Sequence, residues 1–298
     1  MIVKPYNHKI FLKFKYTQNH KVMRKILFPT DFSETANNAF LYALSLAESQ
    51  DAIVYVLHVY ELPIINGGLS AGLIQNVYDT VKLGQFENFK DNIPQLRKIA
   101  EDHGLGHINM KFILEEGNFL YILRETVREE NIDFVVMGTT GNSGIEKFVF
   151  GSNTINAITS LKIPILSVPD QIQFKGINKI GFTTVFDSKD KDSLYYLAEV
   201  TNRHNAVIKC LHVSKDGKYN ESAYNSWKQE FKEEPIEFEI VNNPDPTQAV
   251  LNFIEVEHLD VLAVVSRNKG FFDKIFSPGF TKKIASKNKV PLFVFHQK

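Results

Sequence analysis

A single cysteine, Cys210, occurs in the 298 residues, so no disulfide can form within the chain. Cys210 lies in an apolar run and reads as a small buried side chain; a reactive thiol is the other reading. No run of about 18 apolar residues is present, so no membrane-spanning segment is expected. Neither sign of charge prevails. Lys+Arg and Asp+Glu number 34 each, and a chain so balanced has no global field suited to nucleic acid or an anionic membrane. Tryptophan is almost missing, with one residue against 24 Phe, so the cores must be built from Phe, Ile, Leu and Val. No His/Cys/Asp/Glu set has metal-site spacing. The two commonest phosphate loops, G-x-x-x-x-G-K-[ST] and G-x-G-x-x-G, are both absent. The expected compartment is the cytoplasm.

Residues 1–22 carry Lys4, Lys9, Lys13, Lys15 and Lys21 and no acid. Their best apolar stretch, Ile10-Phe11-Leu12, is cut by Lys13 and Lys15, so a signal-peptide core is missing. Met23 then opens a strand directly. The expectation is a non-structural basic extension ahead of a natural start at Met23; a basic arm that touches a partner is the alternative.

What is present is a repeat. Ile26-Leu27-Phe28-Pro29-Thr30-Asp31-Phe32 resembles Ile180-Gly181-Phe182-Thr183-Thr184-Val185-Phe186, and Leu57-His58-Val59 recurs as Leu211-His212-Val213, both at an offset of 154. Ile132-Asp133-Phe134-Val135-Val136 matches Leu259-Asp260-Val261-Leu262-Ala263, and Lys162-Ile163-Pro164-Ile165-Leu166 matches Lys289-Val290-Pro291-Leu292-Phe293, both at an offset of 127. The offset falls by 27 after the second strand, so the second copy has lost that much there.

Each copy alternates short apolar runs with helical patterns. Strands are expected near 25–30, 53–59, 109–115, 132–137 and 163–168, then near 177–183, 206–213, 236–241, 260–265 and 291–295. Helical spacing covers 34–49, about 75–103, 119–130 and about 153–160. Ser33 suits an N-cap, with Glu34 in the first turn. Gly67-Gly68 and Gly72 suggest a flexible loop before the second helix. Alternating strands and helices give a tandem α/β fold, two doubly wound parallel five-stranded sheets. The division is 1–22 extension, 23–170 first domain and 171–298 second domain, with 171–176 as linker. The fifth strands are apolar and would lie at sheet edges, so they are expected to pair with each other inside the chain.

The strongest chemical signal is Gly138-Thr-Thr-Gly141, nine residues, then Gly151-Ser152. It starts where a strand ends and stops where a helix begins. Ligands of open α/β sheets bind outside the carboxyl ends of the strands. Glycines let backbone N–H groups approach phosphate oxygens, and a helix N-terminus adds unpaired donors and a favourable dipole. Ser152 and Thr154 add hydroxyls. A tight turn would also explain Gly138 and Gly141 alone. Lys147 in the loop reads as a solvated charge before a phosphate contact. Asp31, at a strand end, could accept a hydrogen bond from a ribose hydroxyl or an amino group; a turn or capping Asp is the equal alternative. His58 and His212 look like a catalytic pair, but satisfied, mostly buried histidines fit better.

Ile26–Ser33, Leu57-His58-Val59 and the G-x2-G-x9-G-[ST] loop together resemble the universal stress protein family, over residues 23–170. The resemblance implies the family's adenine-nucleotide alpha-hydrolase-like fold and a site for ATP, AMP or ADP. It puts Asp31 on the adenine–ribose side and the Val59 backbone at the adenine. Gly138, Gly141, Gly151 and Ser152 surround the phosphates, with Asn153 and Thr154 beside them. Mg²⁺ would arrive with the phosphates. No catalytic residue and no protein-held metal is assigned.

In the second copy Gly138, Gly141, Gly151 and Ser152 correspond to Val265, Asn268, Pro278 and Gly279, and Asp31 to Val185; only Thr154 persists, as Thr281. Nucleotide binding is not expected there. In the replacement Arg267-Asn268-Lys269-Gly270-Phe271-Phe272, Phe271 and Phe272 are expected to pack on the neighbouring domain; docking a partner or an acidic ligand is the alternative. The functional reading is an ATP-binding, nucleotide-responsive regulator in the stress response, with an unidentified protein partner and room for a homodimer. A slow ATPase, autokinase or adenylyl-transfer enzyme, and an interaction module with vestigial pockets, are the alternatives.

Overall fold

The computed structural model describes residues 24–65, 67–68, 70–139, 151–170, 172–204, 206–266 and 290–296. Residues 1–23, Gly141, Lys147, Arg267–Phe272, Pro278, Gly279, Thr281 and Lys289 lie outside the described residues. Ten strands form one sheet: β1 (Lys25–Pro29), β2 (Ile53–Tyr60), β3 (Met110–Glu116), β4 (Phe134–Gly138), β5 (Ile165–Val168), β6 (Lys179–Thr183), β7 (Val207–Ser214), β8 (Ile236–Asn242), β9 (Val261–Ser266) and β10 (Leu292–His296). Every expected strand is found, within a few residues.

The helices among the described residues are α1 (Glu34–Gln50), α2 (Ala71–Asp102), α3 (Phe119–Glu129), α4 (Ser152–Ser160), α5 (Lys191–His204), α6 (Glu221–Glu230) and α7 (Pro246–Glu257). Ser33 caps α1, its hydroxyl accepting from Ala36 N at 3.2 Å. The second helix begins earlier than its pattern, at Ala71, because Ser70 accepts from Leu73 N and caps it there. Gly72 therefore belongs to a helical first turn and not to the loop.

The strand order is β3-β2-β1-β4-β5-β10-β9-β6-β7-β8, which reads as 3-2-1-4-5 followed by its mirror image. All neighbours are parallel except β5 and β10, which pair antiparallel through Leu292↔Ser167, Phe293↔Leu166 and Val294↔Ile165. The two sheets foreseen from sequence are thus one continuous sheet, joined along the fifth strands. Alternation along the strands sends side chains to opposite faces. Ile26, Phe28, Val54 and Val56 join the core under α1, α2, α5 and α6. Leu27, Tyr55 and Leu57 join the core under α3, α4 and α7.

The repeat extends to individual hydrogen bonds. Lys25 Nζ donates to Glu130 O and Lys179 Nζ to Glu257 O. Asp133 accepts from Lys25 N and Asp260 from Lys179 N. One packing difference is compensated. Leu27 of β1 is replaced by Gly181 in β6, where a Cβ would lie 2.3 Å from Leu259 Cδ1 and 3.1 Å from Phe253 Cε1. Phe253 itself stands where the first copy has Thr126, so ring volume from α7 fills the space the strand gave up.

The halves are held by more than the strand pair. Arg24 makes a 2.6 Å ion pair with Glu199, lies 4.8 Å over the Tyr196 ring and donates to Gln50 Oε1 at 2.9 Å. Tyr196 OH donates to the same oxygen at 3.2 Å, and burial pushes its phenol pKa well up. Cys210 is buried, its thiol likewise pushed up.

Candidate functional site

In the first half, β1 has β2 on one side and β4 on the other, with their helices on opposite faces. The crevice of a doubly wound sheet opens at such a point, past the carboxyl ends of the strands. Three segments meet there: Thr30–Ser33 after β1, Val59 at the end of β2, and Gly138–Thr139 facing the start of α4.

The turn after β1 is tightly specified. Thr30 N donates to Leu57 O at 2.9 Å, and the Thr30 hydroxyl accepts from Phe32 N at 2.9 Å. Phe32 adopts a left-handed conformation, φ 60°, which a bulky residue holds only when its surroundings fix it. His58 supplies that constraint. It is buried, its Nδ1 donates to Thr30 O at 2.8 Å, and its ring lies 4.8 Å from that of Phe32. The imidazole is thus a clamp on the turn. The clamp presents Asp31 to solvent, with Oδ1 accepting from Ser33 N at 3.1 Å.

The second half repeats this turn. Thr184 N donates to Leu211 O at 3.0 Å, Phe186 N donates to the Thr184 hydroxyl at 2.9 Å, Phe186 has φ 58°, and His212 Nδ1 donates to Thr184 O at 2.9 Å. Only the presented residue differs: Val185, 47% exposed, replaces Asp31. The clamp was not read from sequence, although its signal was there: Thr-x-Phe with a His 28 residues after the Thr in both copies.

Strand alternation places Val59. Leu57 O points to β1, accepting from Thr30 N, and Tyr60 O points to β3, accepting from Gly117 N. The amide and carbonyl of Val59 therefore face the β1 side, beyond Pro29 where β1 ends. That is a donor–acceptor edge at the mouth of the crevice.

At β4 the chain leaves through Thr139 and returns at Gly151, whose N–H donates to Thr139 O at 2.6 Å. Thr154 is buried, its hydroxyl donating to Gly138 O at 3.0 Å, so it ties α4 to the end of β4. Ser152 and Asn153 are exposed in the first turn of α4. Gly151 is the N-cap and offers no side chain to the helix amides. The helices α1, α2, α3, α6 and α7 each have a side-chain oxygen in that role, from Ser33, Ser70, Asn118, Asn220 and Asp245. The structure brings Asp31, Val59, Gly138, Gly151, Ser152, Asn153 and Thr154 to one edge of the sheet; Gly141 lies outside the described residues. Among the described residues no group of three or more His, Cys, Asp and Glu could hold a metal ion, and no helix is long and apolar enough to cross a membrane.

The family model described as Universal stress protein family matches residues 23–169. The chain carries a universal stress protein family domain. Two universal stress proteins of Methanocaldococcus jannaschii are similar to this chain. One is 27% identical over 166 residues, 53% of this chain and 94% of that protein. The other is 27% identical over 156 residues, 49% of this chain and 94% of that protein. A universal stress protein structure from Archaeoglobus fulgidus covers 92% of this chain and 98% of its own, at 21% identity and a TM-score of 0.71. The universal stress protein fold therefore runs through both halves of the chain.

Proposed function

We propose that residues 23–170 and 171–298 are two domains, and that the first binds one adenine nucleotide, ATP or its di- or monophosphate, at the crevice just described. On this reading the protein is a nucleotide-responsive regulator in a stress response. The observation that carries it is the start of α4, where a glycine leaves the first-turn amides without a side-chain cap beside the end of β4. Such a terminus is suited to an anion. The donor set fits the rest of a nucleotide. Val59 offers an amide and a carbonyl to the edge of a base, and Asp31 offers a carboxylate to ribose hydroxyls. Ser152 and Asn153 flank the phosphates, and Thr154 acts through its hold on Gly138. Gly141 joins the set on its sequence position. Mg²⁺ would be held chiefly by the phosphates.

Isothermal titration of the full chain with ATP tests this. The expected stoichiometry is near one. Gly151→Val should abolish binding by filling phosphate space, and Asp31→Ala should weaken it by about 1–3 kcal/mol, the scale of a lost hydrogen-bond partner. Absence of binding to ATP, ADP and AMP would sink the proposal. Incubation of pure protein with ATP separates the regulator from a slow ATPase, since only the latter accumulates ADP.

A further inference from the structure

Helix α2 has 32 residues, of which Phe89, Leu96 and Ala100 are buried. Their spacing puts all three on one face of the helix. Leu96 and Ala100 join the core that holds Ile26 and Phe28. Phe89 stands apart from that core. It is 7% exposed, and its ring lies 6.2 Å from that of Phe32 and 6.4 Å from that of His58, at 21° to the imidazole plane. Aromatic rings attract at such spacings. The two rings that Phe89 meets are the two that shape the turn carrying Asp31. The second half holds its copy of the turn differently. Phe186 lies 5.2 Å from His212, 5.4 Å from Tyr224, 5.5 Å from Trp227 and 6.4 Å from Phe238. Phe186 is buried, whereas Phe32 is partly exposed. A bulky residue stays in the left-handed region only where its surroundings over-determine it. Rings from α6, β7 and β8 share that task around Phe186. Around Phe32 it falls on His58 and Phe89.

We infer that Phe89 is a positioning residue of the candidate nucleotide site, which fixes the Asp31 turn through Phe32 and His58 and so makes affinity depend on how α2 is seated. Its effect on affinity rests on the nucleotide reading above; its effect on the turn needs no ligand. Asp31 lies between the two points that Phe89 supports. On one side Phe32 N donates to the Thr30 hydroxyl at 2.9 Å, and on the other His58 Nδ1 donates to Thr30 O at 2.8 Å. Removing the Phe89 ring takes packing from both rings at once, and the left-handed Phe32 loses part of what holds it. The same chain of packed side chains can carry coupling in the other direction. With three buried side chains along 32 residues, α2 is lightly held, and a shift of the helix reaches the Asp31 carboxylate through Phe89.

Amide hydrogen exchange of the full chain, without ligand, tests the turn. Phe89→Ala is compared with Leu96→Ala, which empties a buried site on the same helix away from the clamp. Exchange at Phe32 and Ser33 is referenced to the Val54 amide, which donates to Asn109 O, so that global loss of stability cancels. Phe89→Ala should speed exchange at Phe32 and Ser33 by at least about tenfold, the sign of a local opening, and Leu96→Ala should not. Titration with ATP should show affinity lowered about fivefold by Phe89→Ala and unchanged by Leu96→Ala. Phe89→Leu, which keeps most of the apolar volume, should recover most of both effects and serves alone if the alanine variant fails to fold. Equal referenced exchange in Phe89→Ala and Leu96→Ala overturns the inference, as does equal loss of affinity in the two. A wild-type chain that binds no ATP sinks the nucleotide reading by itself, and exchange at Phe32 then still decides the role of Phe89.

Discussion

The turn after β1 shows how a buried residue can shape a candidate binding site from beneath it. His58 holds the Thr30 carbonyl and packs on Phe32, so it fixes the backbone that presents Asp31. Its twin, His212, does the same for Val185. Alanine at either position removes a buried hydrogen bond and ring packing, and each should lower stability by about 2–4 kcal/mol. The two variants part company in binding. His58→Ala should weaken ATP as well, whereas His212→Ala should leave it unchanged. Urea unfolding combined with titration calorimetry measures both. Equal loss of affinity in the two would show that the clamp acts through global stability and not through Asp31.

Helix α4 makes a contrast of sign available at the level of the element. Gly151 is extended, φ −57° and ψ 150°, a conformation in which aspartate is a good N-cap. Gly151→Asp should therefore stabilise the fold by a few tenths of a kcal/mol, about the margin of Asp over Gly at this position. It should also reduce ATP affinity at least about tenfold if the phosphates sit at this terminus as proposed, because it places a carboxylate beside them. Thermal melts and titration together decide it; an affinity equal to wild type would place the phosphates elsewhere.

Strands were the most legible elements in the sequence, because runs such as Ile26–Phe28 and Val261–Val265 are apolar on both faces and recur at fixed offsets. The start of α2 was less so: Gly72 looks like loop until Ser70 is seen to cap the turn that contains it. The candidate site was proposed in the sequence through its glycines and Asp31, of which Gly138, Gly151 and Asp31 fall at the carboxyl ends of β4 and β1 and the start of α4. The roles of His58 and Thr154 were hidden, since both depend on which carbonyl a side chain meets across the fold. That is a tertiary fact with no local periodicity. Likewise the reason for a glycine at 181 lies across the fold, in the approach of Leu259, Phe253 and Leu262 to the place its Cβ would take.

At the scale of the whole molecule the seam matters most. β10 ends in His296, which burial and nearby Lys162 depress to about 4. An unfolded histidine titrates near about 6.5, so below that pH the unfolded chain takes up a proton that the folded one refuses. The resulting stabilisation is complete above about 6.5 and is lost as the pH falls toward about 4. His296→Gln should flatten stability against pH in that window relative to wild type, as read from urea midpoints; parallel curves would show that His296 titrates normally in the fold.

Antiparallel pairing of β5 with β10 also turns the two crevices toward opposite ends of the sheet. In a pair of separate, identical subunits every substitution arrives twice, once at each end. Here one peptide connects the ends, so each can drift on its own. An aspartate stands at one and a valine at the other, on turns that share the same hydrogen bonds. The single chain thus has a polarity, a front and a back, that a symmetric pair of identical subunits lacks.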